Sequence, residues 1–241
     1  MFKQIMRKAV KGGFVSLGLL ALAGNAHAGP VTFNFQQLNN TNADIPGNTS
    51  DFSTGGSCNG TSISGSDLCE KKEGAGFDYS KSGLSVSVTA NNTQGNAFLM
   101  QDLWPKNSGL AVISPGDGTS DDQVQSATGE SILFDFGSSV SLLGFDFNSG
   151  NDTDCVSAGG EGPCGDFNLF VDGSLANNSA ASDDLAFSPA FSGTTFKVEH
   201  TSPDQGGFAI GSVTAAVPEP GTLALLGLGL VGLGASRRRR C

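Results

Sequence analysis

Between two apolar terminal stretches, hydrophobic and polar residues alternate along this chain with a period of two. That period belongs to strands with one buried face, because successive side chains on a strand point to opposite sides. Val31, Phe33 and Phe35 fall on one face, and Leu84, Val86 and Val88 do the same with serines between them. Residues 109–113 are a short apolar run. Segments 132–136 and 140–147 carry Phe at alternate positions, and the link Ser138-Ser139, preceded by Gly137, is short enough for a hairpin. Segments 167–171, 194–199 and 208–213 complete the series, the first closed by the turn dipeptide Asp172-Gly173. No segment outside the termini repeats apolar residues at helical spacing.

About eight or nine short strands between Gly, Ser, Asn and Asp loops predict an all-β domain. The expected form is an antiparallel β-sandwich, jelly-roll-like, with Phe filling the space between two sheets; a barrel with protected edges is the alternative. Residues 39–76 are poor in apolar residues and rich in Gly, Ser, Thr and Asn, which predicts a long loop.

The termini follow different rules. Lys3, Arg7, Lys8 and Lys11 precede an apolar stretch at 14–23, and Ala26-His27-Ala28 forms a small-residue cleavage site. This is the layout of a secretory signal peptide over 1–28, and cleavage after Ala28 would leave Gly29 as the new N-terminus. At the other end, Val217-Pro218-Glu219-Pro220 is followed by an uncharged stretch and then by Arg237, Arg238, Arg239 and Arg240. The stretch from Gly221 to Ser236 has 16 residues, several of them Gly. A bilayer-crossing helix takes about 20 residues, with about 17 the usual lower limit, so this is a short and weak transmembrane helix. The arginines hold its far end in the cytoplasm and leave 29–216 as an extracytoplasmic domain.

A Pro-Glu-Pro break, a short apolar run and an arginine block in this order resemble a PEP-CTERM sorting signal, here over 217–241. The resemblance implies recognition by an exosortase, a membrane protease-transpeptidase, with Pro218-Glu219-Pro220 as the recognition element. It also implies export by the Sec translocon, removal of residues 1–28 by signal peptidase, and an inner-membrane-anchored precursor in a Gram-negative bacterium. Release to the cell surface or extracellular matrix would follow, with a role in exopolysaccharide and biofilm. Similar tails are also labelled ice-binding protein C-terminal domains, but the chain has no regular Thr array to present to ice.

Charge narrows the partners. Within 29–216 there are five basic and 22 acidic side chains, a net of −17. Such a surface repels nucleic acid and attracts divalent cations. The cysteines fit an oxidising compartment. Two pairs each bracket a Gly/Ser-rich loop, and proximity in sequence selects Cys58–Cys69 and Cys155–Cys164 among the three possible pairings. A zinc site is the weaker reading, because neither spacing is C-x-x-C and His200 is the one His left after export. Cys241 follows the arginines and is assigned no role.

Two acidic clusters carry candidate chemistry. Asp117, Asp121 and Asp122 form one; Asp146, Asn148, Asp152 and Asp154 form the other, together with Asn151. Closely spaced Asp and Asn can supply oxygen ligands to calcium. The second cluster does not follow the EF-hand pattern, and solvated turn residues are the competing explanation. Calcium is accordingly the one cofactor entertained. Catalysis finds no signature: there is no G-x-S-x-G, no P-loop, and His200 reads as a surface residue near a strand end. Tyr79 and Trp104 are the sole Tyr and Trp, too few for a stacked sugar platform, and core filling is the expected role of Trp104. The expectation is a non-enzymatic exported surface or matrix protein. A calcium-assisted carbohydrate-binding module is the alternative, to be separated by calcium-dependent stabilisation. A secreted hydrolase is the third reading, to be separated by polysaccharide cleavage that one carboxylate change abolishes.

Overall fold

The computed structural model describes residues 29–36, 43–47, 52–58, 61–72, 74–103, 109–114, 123–124, 129–149, 164–181, 185–201 and 207–218. Among these residues there are twelve strands and no helix. They are β1 Pro30–Asn34, β2 Phe52–Cys58, β3 Thr61–Glu70, β4 Phe77–Lys81, β5 Leu84–Asn91 and β6 Phe98–Asp102. The series continues with β7 Gly109–Ile113, β8 Ser131–Ser149, β9 Asp166–Val171, β10 Ser174–Ala181, β11 Leu185–His200 and β12 Phe208–Ala216. The all-β antiparallel prediction holds.

The strands do not separate into two sheets. One hydrogen-bonded network runs β10-β9-β11-β8-β12-β7-β6-β3-β2, with β1 on β12, β4 on β5 and β5 on β8. The branching happens at β8. One edge of β8 is occupied by β11 along its length. Its other edge is shared in succession by β5, paired with residues 131–135, and β12, paired with 141–149.

The hairpin expected at Ser138-Ser139 is therefore absent, and the chain passes straight through as one strand of 19 residues. Both halves face the same partner. Asp135 pairs with Thr195 and Val140 with Gly193, so five steps along β8 match two along β11. The surplus is absorbed where Gly137 takes a φ of 65°, a left-handed conformation open to Gly at little cost. Its amide donates to Asp135 Oδ1 at 2.8 Å, and residues 137–139 are exposed.

Residues 39–76 are likewise not one long loop, since β2 and β3 form an antiparallel pair within them. Their Ser, Thr and Gly content hid this pair, because β-propensity chiefly measures packing on a half-buried surface. β10 was hidden for a related reason. It is an edge strand with Leu175 exposed, so no alternation marks it. β4 and β6 were the other strands not anticipated.

The Phe alternation does what the pattern requires. Phe33, Phe35, Phe77, Phe134, Phe147, Phe167, Phe196 and Phe208 are all fully buried in one core. Phe35 meets Tyr79 edge-on with centroids 5.0 Å apart. Phe147 sits between Phe167 at 4.9 Å and Phe208 at 5.0 Å. A smaller apolar cluster of Cys58, Cys69, Met100, Ala111 and Ile113 adds a second layer. β7 is consequently buried on both faces. The predicted disulfide Cys58–Cys69 lies in this layer.

Candidate functional site

The end of β12 is held from both sides. On one edge Pro30 pairs with Ala216, Val31 with Ala215, Thr32 with Thr214, Phe33 with Val213 and Asn34 with Ser212. The hydroxyls of Thr32 and Thr214 are 2.8 Å apart. On the other edge Ala216 pairs with Ser141 and Ala215 with Leu142. Val217, just past the strand, is half-buried and packs on the core, and Pro218 is the first exposed residue after it. The antiparallel register thus brings Gly29, which precedes β1, to the same end of the sheet as Val217 and Pro218.

A family model for the PEP-CTERM protein-sorting motif matches residues 216–240. This segment is a PEP-CTERM sorting motif. The motif supports an exosortase-sorted extracellular protein, with an exported, membrane-anchored precursor processed by that enzyme. No curated protein and no solved structure matches the chain. The match begins on the last residue of β12, so motif and folded domain share Ala216. Among the described residues no helix is long and apolar enough to cross a membrane. Glu219, Pro220, the apolar stretch at 221–236 and Arg237–Arg240 lie outside them, as do residues 1–28 with Ala26 and Ala28.

The candidate calcium ligands are only partly placed. Asp117, Asp121, Asp122, Asp152 and Asp154 lie outside the described residues. Asp146 and Asn148 do not occupy a loop but alternate positions on β8. There Gln36 spans them: its Nε2 donates to Asp146 Oδ2 at 2.7 Å, and its Oε1 accepts from Asn148 Nδ2. The pair ties the residues after β1 to the centre of the sheet. Among the described residues no group of three or more His, Cys, Asp and Glu is arranged to hold a metal. Cys164 is disulfide-bonded, while Cys155 lies outside the described residues.

His200 is buried rather than on the surface, because β11 runs on to its last residue between β8 and β9. Its ring packs on Phe208 with centroids 5.3 Å apart. Tyr79 is also buried, its hydroxyl donating to Gln101 Oε1 at 3.1 Å, so it offers no stacking surface. Burial, with the negative charges of Asp44 and Glu70, pushes its phenol well above the usual range. Trp104 lies outside the described residues.

Sequence reasoning missed Glu70. This carboxylate at the end of β3 is buried, and its Oε2 accepts the Leu99 amide at 2.9 Å. Loss of water pushes its pKa to about 8, against the opposing pull of that hydrogen bond. No local signal marks Glu70, since Cys69-Glu70-Lys71-Lys72 reads as surface.

One groove of about 390 Å³ opens on the outer face of the sheet. Asn91 at the end of β5 with Asn92 just past it, Ser131 and Leu133 from β8, and Lys197 and Glu199 from β11 line it. Register explains the grouping. Thr89, Leu133, Lys197 and Phe170 fall on one rung across β5, β8, β11 and β9, and Asn91, Ser131, Glu199 and Asn168 on the next. Their neighbours Ala90, Ile132, Phe134 and Val198 turn into the core. Lys197 Nζ lies 2.5 Å from Glu199 Oε2 and 4.1 Å from the centre of the Phe170 ring. The result is a shallow floor of hydroxyl, amide and paired-charge groups beside one aromatic ring.

Proposed function

We propose that this is a non-enzymatic exported protein of a Gram-negative cell surface or extracellular matrix, delivered by exosortase sorting and associated with exopolysaccharide. The supporting observation is the sorting motif at 216–240, continuous with the last strand of the domain. In this reading the domain is the cargo, and Pro218-Glu219-Pro220 is the address the exosortase reads. Replacing that triplet with Ala-Ala-Ala is expected to leave the full-length protein in the membrane fraction. The check is intact mass and fractionation in a host that makes an exosortase. Normal maturation of the variant would remove the sorting reading.

The groove favours a second, compatible reading as a carbohydrate-binding module. Carbohydrate sites combine a ring that stacks on a sugar face with polar groups that fix orientation. The Lys197–Glu199 pair on this floor and the Phe170 ring beside it are of that kind. Phe170→Ala together with Lys197→Ala is expected to weaken binding to the host's purified exopolysaccharide by about tenfold, the loss of roughly one ring contact and one charged hydrogen bond. Equal binding of variant and wild type in a co-sedimentation titration would discard the site. A bound calcium ion would raise the melting temperature on calcium addition, so a curve indifferent to calcium would discard the metal.

A further inference from the structure

The sorting motif has almost no tether. β12 is paired on both edges through Ala216, and Pro218 follows after the single half-buried residue Val217. An enzyme that cuts a chain holds its substrate extended, with several residues on each side of the cut engaged through main-chain hydrogen bonds, much as an added strand is held at a sheet edge. For a cut near Pro218-Glu219-Pro220, the residues on the domain side are Thr214, Ala215, Ala216 and Val217. In the folded domain the main-chain groups of Thr214–Ala216 are already engaged by β1 and β8.

We infer that the last residues of β12 are shared between the fold and the processing exosortase, and that β1 is the clasp that decides which of the two holds them. The inference rests on the sorting reading above and adds to it the state of the domain in which the motif can be used. The enzyme acts while the end of β12 is free of β1. β1 suits this role because it is five residues long, and among the described residues β12 is the one strand it pairs with. The outer end of β1, where Pro30 and Thr32 are exposed and pair with Ala216 and Thr214, frays more readily than its inner end, where Phe33 is buried in the core. β8 suits it poorly, being the buried centre of the network. The residues after β1 set the strength of the clasp. Phe35 donates its amide to the Gly211 carbonyl at 2.8 Å, and Gln36 anchors on Asp146 and Asn148. The clasp also links the two ends of export, since β1 begins one residue after Gly29, the first residue left by the expected signal-peptide cleavage. Until that cleavage frees the N-terminus, β1 remains joined to the signal peptide.

The test uses the full-length chain in a host that makes an exosortase, with conversion to the mature form followed by pulse–chase and intact mass. Thr32→Cys with Thr214→Cys locks the clasp, because these side chains already meet across the pair and paired thiols at such a position reach disulfide distance. Locking is expected to slow conversion by about tenfold or more, since a cross-linked edge cannot open locally. A flexible insert of about ten Gly and Ser residues between Ala216 and Val217 gives the enzyme free chain without touching the motif. It is expected to speed conversion of the otherwise wild-type protein and to restore conversion of the locked one. Restoration excludes misfolding as the cause of the block. Conversion of the locked protein at the wild-type rate, with its cross-link verified by mass, would overturn the clasp. If Ala-Ala-Ala in place of Pro218-Glu219-Pro220 still blocks conversion in that case, the sorting reading stands and the clasp alone falls. If that triplet change has no effect, the sorting reading itself falls.

Discussion

Phe147→Ala is expected to destabilise the domain by about 4 kcal/mol, the usual range for removing a buried Phe. Phe147 is fully buried on β8, between Phe167 of β9 and Phe208 of β12, with Phe145 5.7 Å away on its own strand. Three aromatic contacts are lost together, and each is worth roughly 0.5–1.5 kcal/mol beyond the buried area. The cavity opens inside the β12 half of β8, where Phe147 pairs with Ile210, so collapse of the walls would require the central strand to move. For a domain of this size the melting temperature is expected to fall by about 10 °C. Phe147→Leu keeps most of the volume and should cost less than half as much. Thermal unfolding of the two variants is the measurement. Near-equal melting temperatures for Phe147→Ala and wild type would mean that this centre is not packed as described.

The second large effect is a pH dependence carried by Glu70. Its carboxyl has a pKa of 4.5 in an unperturbed chain and about 8 in the fold. A folded-state pKa above the unfolded value means that the native protein holds the proton more tightly. The resulting stability is fully present below pH 4.5 and is lost as pH rises through about 8. Between these limits wild-type stability is expected to fall by up to about 1.4 kcal/mol per pH unit from this group. Glu70→Gln keeps an oxygen for the Leu99 amide and removes the ionisation. Variant and wild type should therefore match near pH 4, while the variant should lead by about 3 kcal/mol near pH 7. Other carboxylates titrate alike in both proteins, so the difference between their urea midpoints isolates Glu70. Parallel curves from pH 4 to 8 would show that Glu70 ionises normally.

The same region shows why some sites stay hidden in a sequence. Glu70 lies in a stretch whose composition reads as solvent-facing. Its burial follows from β3 pairing with β6, where Cys69 faces Met100, and from the apolar layer around the Cys58–Cys69 disulfide. The groove is hidden in the same way. Asn91, Ser131 and Glu199 are far apart in the chain and meet only because three strands share a register. His200 was misplaced for the converse reason. A polar residue near a strand end is usually exposed, but β9, β8 and Phe208 enclose this one.

Hairpin and through-strand also look alike in sequence. The stretch 132–147 shows two apolar runs around Gly-Ser-Ser, and either answer fits local propensity. What decides is that β11 presents one long edge to both runs, so reversing at Ser138 would forfeit half of those hydrogen bonds. Gly137 then serves as a bulge and not as a turn.

From sequence alone the all-β class, the strands that alternate and the faces they turn to the core, the Cys58–Cys69 pairing and the sorting motif were legible. These depend on residues close together in the chain, where alternation, spacing and residue type are the relevant physics. The tertiary structure alone decided that the strands form one branched network and that β8 runs unbroken. It also decided that Glu70 loses its water, and that β1 and β12 bring Gly29 and Pro218 to one end of the sheet. Those outcomes depend on register and burial between residues as much as 186 positions apart, as in the pairing of Pro30 with Ala216, and no local pattern encodes such a distance.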